Sequence, residues 1–126
     1  MEKHQLGAES DFGARRIYAL SAGVSPEARP VLEQVAGLLA PLGIAYAPTG
    51  GGPGPDLGPS VRLGMPWAEL QQDGSDYFDF HHTANDTLDK IVATDLDQQV
   101  AAYAALAYAA AQSPVDFGKA PAPATP

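Results

Sequence analysis

The chain holds 3 histidines, 15 acidic residues and no cysteine, so any acid–base or metal chemistry must come from imidazole and carboxylate groups. Two of the histidines, His81 and His82, are adjacent in "YFDFHHTANDTLDKI" (77–91). On an extended backbone neighbouring side chains point to opposite faces, so one metal ion can usually engage only one of the pair. Imidazole suits zinc, and carboxylates can complete its shell. The candidate carboxylates are Asp11, Asp56, Asp76, Asp79 and Asp86. HxxxH and HExxH spacings are absent, and His-His alone is a poor zinc signature. A loop pair with ordinary hydrogen bonds and no metal therefore stands beside the ligand reading.

Other constellations divide in the same way. "ESDFG" (9–13) is either an acidic turn capping a strand or a carboxylate at the C-terminal end of a strand, where α/β proteins build their sites. Glu9 could act as a base, although neighbours in a tight turn rarely share one substrate. A kinase is excluded, because neither a catalytic-loop motif nor a Gly-rich phosphate loop is present. "TGGGPGPDLG" (49–58) is followed by no Gly-Lys-Ser/Thr and no expected helix, so it is no nucleotide loop. Ser75, Asp79 and His81 form no recognisable triad in the absence of geometry.

These residues must be positioned by a single domain, since 126 residues are too few for two ordinary ones. A hydrophobic content of 45% is globular. The net charge of −8, with no basic cluster, argues against nucleic-acid binding and against an anionic membrane surface. No stretch reaches the roughly 20 apolar residues of a membrane span. "MEKHQLGAES" lacks the apolar centre of a signal peptide. Either the protein is cytoplasmic or its true N-terminus lies further upstream.

"IYAL" (17–20) reads as a short strand, with Glu9, Ser10 and Asp11 at a strand end. Ser25, Pro26 and Glu27 are suited to start a helix, with Val31, Leu32, Val35, Leu38 and Leu39 on its buried face. Pro30 is awkward there, which sets the start of the regular helix near it; Pro41 and Gly43 end it. A short strand is expected near Ile44, and another from Met65 to Leu70. The last helix is expected to start at Thr94 with a box-like Thr-x-x-Asp cap and to bury Leu96, Val100, Tyr103 and Ala107. Residues 1–113 then form the domain, and 114–126 a disordered Pro/Ala-rich tail. The class is α/β, a partial mixed sheet flanked by helices. An open sheet edge makes self-association plausible.

"ESDFGA", "GPDLGP", "GMPWAELQQDGSDYFDFHHTANDTLDKI" and the Ala/Tyr-rich final helix occur in one order. In that order they resemble the C-terminal part of co-catalytic zinc exopeptidases, in the branch of bacterial aminopeptidases similar to carboxypeptidase Q. The resemblance runs from His4 to the end of the last helix. It implies a di-zinc centre at the edge of a mixed sheet, held by two His, two Asp and a Glu, with a further Glu as general base. Carried over by motif, Asp11 and His82 are zinc ligands, one to each ion, and His81 faces away. Asp56 matches an acidic position on the substrate side, and Asp86 supports the His82 loop. The first His (His4 does not match it), the bridging Asp and the Glu-Glu pair should precede Met1, so the chain resembles the last third or less of an enzyme. Zinc would be weak or absent in this chain alone, which has no general base. For the complete enzyme the resemblance implies a peptide or dipeptide substrate and a secreted or periplasmic location. A non-catalytic remnant, or a small α/β binding module without metal, is the alternative.

Overall fold

The computed structural model describes residues 4–119. Four strands form one mixed sheet: β1 (Gly7–Ala8), β2 (Ile17–Gly23), β3 (Ala45–Tyr46) and β4 (Trp67–Gln72), in the order β1-β4-β2-β3. β2 runs antiparallel to β4 and parallel to β3, while β1 runs parallel to β4. Helices α1 (Arg29–Leu39) and α4 (Ala93–Gln112) flank it, with short helices α2 (Gly58–Arg62) and α3 (Tyr77–Phe80) in the connections. This is the expected partial mixed sheet flanked by helices. Among the described residues no helix is long and apolar enough to cross a membrane.

The β2–β4 pairing sorts the side chains by face. Leu20 sits opposite Leu70 and Ala22 opposite Ala68. This set joins Leu32, Val35, Leu39, Ala102 and Leu106 in the core under the helices. Ser21 sits opposite Glu69 and Ala19 opposite Gln71, which makes the other face largely polar. The Gly/Pro loop lies over that face: the Gly52 N–H donates to Glu69 Oε2 at 2.9 Å. An irregularity in register between Ile17 and Ala19 leaves Tyr18 exposed while both neighbours stay buried. The loop is therefore a cover as well as a connection.

α1 begins after a 3-10 turn at Pro26–Ala28, and Pro30 falls within its first two positions. The first four N–H groups of a helix have no internal partner, so proline costs little there. Ser25 makes no side-chain cap; its backbone N–H donates to the Phe117 carbonyl at 2.9 Å. Leu32, Val35 and Leu39 are buried as expected, but Leu38 is 71% exposed because it lies one residue, about 100°, round the helix from Leu39. Gly43 ends the element in the left-handed region, φ 80°.

Three expectations are corrected. A helix, α2, does open after the Gly/Pro loop, although it is only five residues long. The last helix starts at Ala93 with Val92 as its cap and no side-chain cap, so the Thr94 box is not formed. Its buried face is Gln98, Gln99, Ala102, Leu106 and Ala110, whereas Leu96 and Val100 are 44% and 61% exposed. The cause is hydrogen bonding. Gln98 Oε1 accepts from the Ile17 N–H at 2.9 Å, and its Nε2 donates to the carbonyls of Ile17 (2.8 Å) and Leu42 (3.0 Å). Two glutamines turn inward because they satisfy backbone groups that a leucine could not.

The domain boundary at residue 113 also moves. Within 114–119, Phe117 is 1% exposed and Val115 packs against the core. Residues 120–126 lie outside the described residues. Phe117 supplies the apolar burial that the Pro/Ala composition around it concealed.

Replacing Gln98 with Leu removes the side-chain partner of the Ile17 N–H and carbonyl, and should cost about 1–3 kcal/mol. Val100→Ala should stay within about 0.5 kcal/mol. Urea unfolding of the two variants measures this ranking, and the reverse order would mean that α4 is rotated.

Candidate functional site

The topology brings distant residues to one end of the sheet. β1 and β4 are parallel, and Ile17 at the start of β2 pairs with Gln72 at the end of β4. The loop leaving β1, the residues entering β2 and the loop leaving β4 therefore emerge together. They bound a cavity of about 430 Å³ lined by Asp11, Arg15, Asp76, Tyr77, His81 and His82, among others. Asp86 also borders it.

Side-chain ties hold the Asp11 loop. The Tyr103 hydroxyl donates to the Glu9 carbonyl at 2.7 Å. Gln72 Nε2 donates to the Gly13 carbonyl at 3.0 Å, and Gln99 Nε2 donates to those of Ala14 (2.9 Å) and Arg15 (2.8 Å). Burial beside the Asp11 turn raises the Tyr103 phenol above its ordinary pKa, so it stays a donor at neutral pH.

The His82 loop is built from tight turns. The His81 N–H donates to the Tyr77 carbonyl at 2.9 Å, and the Thr83 hydroxyl donates to the Phe80 carbonyl at 2.7 Å. His82 has φ 58°, a left-handed conformation uncommon outside glycine. This turn corrects the expectation that His81 faces away. The alternation of side chains holds only for extended backbone. Here both imidazoles border the cavity and stack with ring centroids 3.8 Å apart.

The two loops are joined directly. Arg15 Nε and Nη2 donate to Asp76 Oδ2 at 2.9 and 2.6 Å. The Phe12 and Tyr77 rings stack at 4.5 Å. The Arg15 hydrogen bond holds the Asp76 carboxyl below its ordinary pKa, and the Arg15 guanidinium is raised in return. Partial burial, then the nearby Asp11 and Asp86 charges, raise the Tyr77 phenol. Neither Arg15 nor Tyr77 was singled out from the sequence. Arg15 and Asp76 lie 61 positions apart, and no local pattern announces such a pair.

The other candidates are more scattered. Asp79 and Ser75 are absent from the cavity lining, so no triad with His81 assembles there. Asp56 is exposed on the Gly/Pro loop and does not line this cavity. Glu9 is committed to that loop: its Oε2 accepts from the Asp56 and Leu57 N–H groups, both at 3.1 Å. Gly54, at φ 81°, has no Cβ to strike the Glu9 carboxylate beside it. A smaller cavity of about 120 Å³ separates this loop from Asp11. His4 is exposed near the start of the described residues.

The cavity lining includes the Asp11 carboxylate and the His82 imidazole, donors of the kind zinc accepts. It is also incomplete. Among the described residues no group of three or more His, Asp or Glu side chains is placed to hold a metal ion. Asp11 and His82 fit as parts of a metal shell and do not make one between them.

No protein-family model matches the chain. Carboxypeptidase Q of Mus musculus is 31% identical over 111 residues, covering 88% of this chain and 23% of that protein. Carboxypeptidase Q of Homo sapiens is 32% identical over the same length, with the same coverage. The crystal structure of a peptidase M28 precursor from Shewanella amazonensis superposes with a TM-score of 0.89 at 45% identity, covering 96% of this chain and 27% of that one. In its mixed sheet, its helices and its sequence the chain corresponds to a segment of the M28 peptidase family. Within it, the related sequences are of the carboxypeptidase Q kind. The chain spans about a quarter of the length of the relatives it matches.

Because its folded pKa is lowered, Asp76 contributes stability above its unfolded pKa, and this is lost as pH falls through the folded value. In carboxyl NMR, Asp76 should titrate below the ordinary 3.8 in the native chain. In Arg15→Gln its midpoint should rise towards that value. An unchanged midpoint would show that the pair does not form in solution.

Proposed function

We propose that this chain contributes two zinc ligands, Asp11 and His82, one to each ion of a co-catalytic exopeptidase centre that hydrolyses peptide bonds at chain ends or in dipeptides. The observation that carries this is their meeting at one cavity, at the strand ends of a fold that superposes on an M28 peptidase. Zinc held at such a centre would acidify a water molecule and polarise the peptide carbonyl. The chain's own part is to present the Asp11 carboxylate and the His82 imidazole on loops fixed to a rigid sheet. Asp86 and His81 border the same space and support the His82 loop. Asp56 meets substrate from the Gly/Pro loop. The general base and the remaining ligands come from outside this chain, so the chain alone does not turn over substrate. The Shewanella relative is described as a precursor, which accords with a secreted or periplasmic complete enzyme.

The second reading is an interaction module without metal. Purified chain should lose zinc on dialysis and leave a dipeptide uncleaved. In calorimetric titration with zinc, His82→Ala should abolish the residual weak binding and His81→Ala should reduce it less. Tight stoichiometric zinc with peptidase activity would overturn the partial-centre reading. No zinc-dependent heat in the unaltered chain would favour the module.

A further inference from the structure

Between Asp11 and His82 runs an unbroken row of rings. Phe12 follows Asp11 in the chain and stacks on Tyr77 with centroids 4.5 Å apart and planes 24° apart. Tyr77 packs on His81 at 4.6 Å and 33°. His81 stacks on His82 at 3.8 Å and 19°. The Arg15–Asp76 fork ties the same two loops one residue before Tyr77. Among the described residues no protein hydrogen bond reaches either imidazole, and Asp86 makes none to them. Backbone turns place the His82 Cα, and the stacked His81 ring sets the plane of its imidazole.

We propose that Phe12, Tyr77 and His81, fastened by Arg15 and Asp76, are positioning residues that set the His82 imidazole against the Asp11 carboxylate. The inference rests on the zinc-ligand reading of those two residues. Metal-binding histidines ordinarily have their ring orientation fixed by a hydrogen bond from the second nitrogen. Here an aromatic row does that work, and it starts beside the other donor. A displacement of the Asp11 loop is thereby passed to His82 through rigid rings, and the two donors keep their spacing as a unit. Stacked rings suit this task, since they resist tilt while leaving both imidazole nitrogens free to bind.

The test is NMR of the full chain labelled in histidine, with Tyr77→Leu and Phe12→Leu as disrupting variants and Tyr77→Phe and Phe12→Tyr as conservative ones. Both leucine variants should remove the ring-current displacement or sharpness of the His82 imidazole signals, and both conservative variants should keep them. Phe12 does not touch His82, so a merely local packing role would leave those signals unmoved in Phe12→Leu. Zinc titration of the same samples should show a midpoint raised by roughly 10–100-fold in the leucine variants. Folded leucine variants with unchanged His82 signals would overturn the proposal. If Tyr77→Leu does not fold, Phe12→Leu decides the outcome, because Phe12 is 46% exposed. Zinc that leaves His82 unperturbed in the unaltered chain would instead remove the metal reading, with the ring row still standing or falling by its own signals.

Discussion

The backbone between β1 and β2 has polar groups and no strand to pair with, and the structure depends on how those groups are satisfied. Buried carbonyls without partners are costly, so a segment crossing the end of a sheet needs donors from elsewhere. Gln72, Gln98, Gln99 and Tyr103 provide them, at Gly13, Ile17, Ala14, Arg15 and Glu9. Three of the four donors come from α4, so the helix that closes the core also fixes the Asp11 loop. Core and site are coupled through amide side chains.

The site end follows a different rule. Its residues are largely exposed, and the ties between its loops are one ion pair and a set of ring contacts. The Arg15–Asp76 pair has side chains 47% and 28% exposed. Such a pair adds little to overall stability; its value is geometric, as the guanidinium fork defines an orientation that a single charge contact would leave loose. The ring contacts are likewise peripheral to the fold. The geometry of Asp11 and His82 can therefore change while the sheet and helices remain intact.

Much of the architecture was legible because it rests on apolar periodicity. Leu32, Val35 and Leu39 announce α1, and the IYAL segment announces β2. The rotation of α4 was not legible, since hydrophobic spacing scores Leu96 and Val100 as inward and gives no weight to an amide that can satisfy a strand. Phe117 was hidden by the prolines and alanines around it. At the site, motif resemblance pointed to Asp11 and His82, and the topology brings both to one cavity. The direction of His81 could not be read, because a left-handed residue follows it and sequence alternation assumes none. Arg15 with Asp76 and Phe12 with Tyr77 are long-range pairs of ordinary residues, with no local signature at all.

The core and the candidate site thus lie on different parts of one small sheet. The core lies on the helix side, where Leu20, Leu70 and Leu106 are within a few per cent of full burial. Asp11 and His82 stand at the strand ends, on loops whose sequences are polar, aromatic and rich in turns. The Gly/Pro loop covers the opposite face through Glu69 and Glu9, and Glu9 keeps one buried carboxylate oxygen without a hydrogen-bond partner among the described residues. An unpaired buried oxygen is tolerable because the other oxygen anchors two backbone N–H groups, and releasing it would free the loop. The loop beside Asp11 is accordingly held by a few hydrogen bonds to two carboxylates, whereas the helix side is held by many apolar contacts. A change in the first should alter geometry near Asp11 long before it melts the fold, and a change in the second should do the opposite.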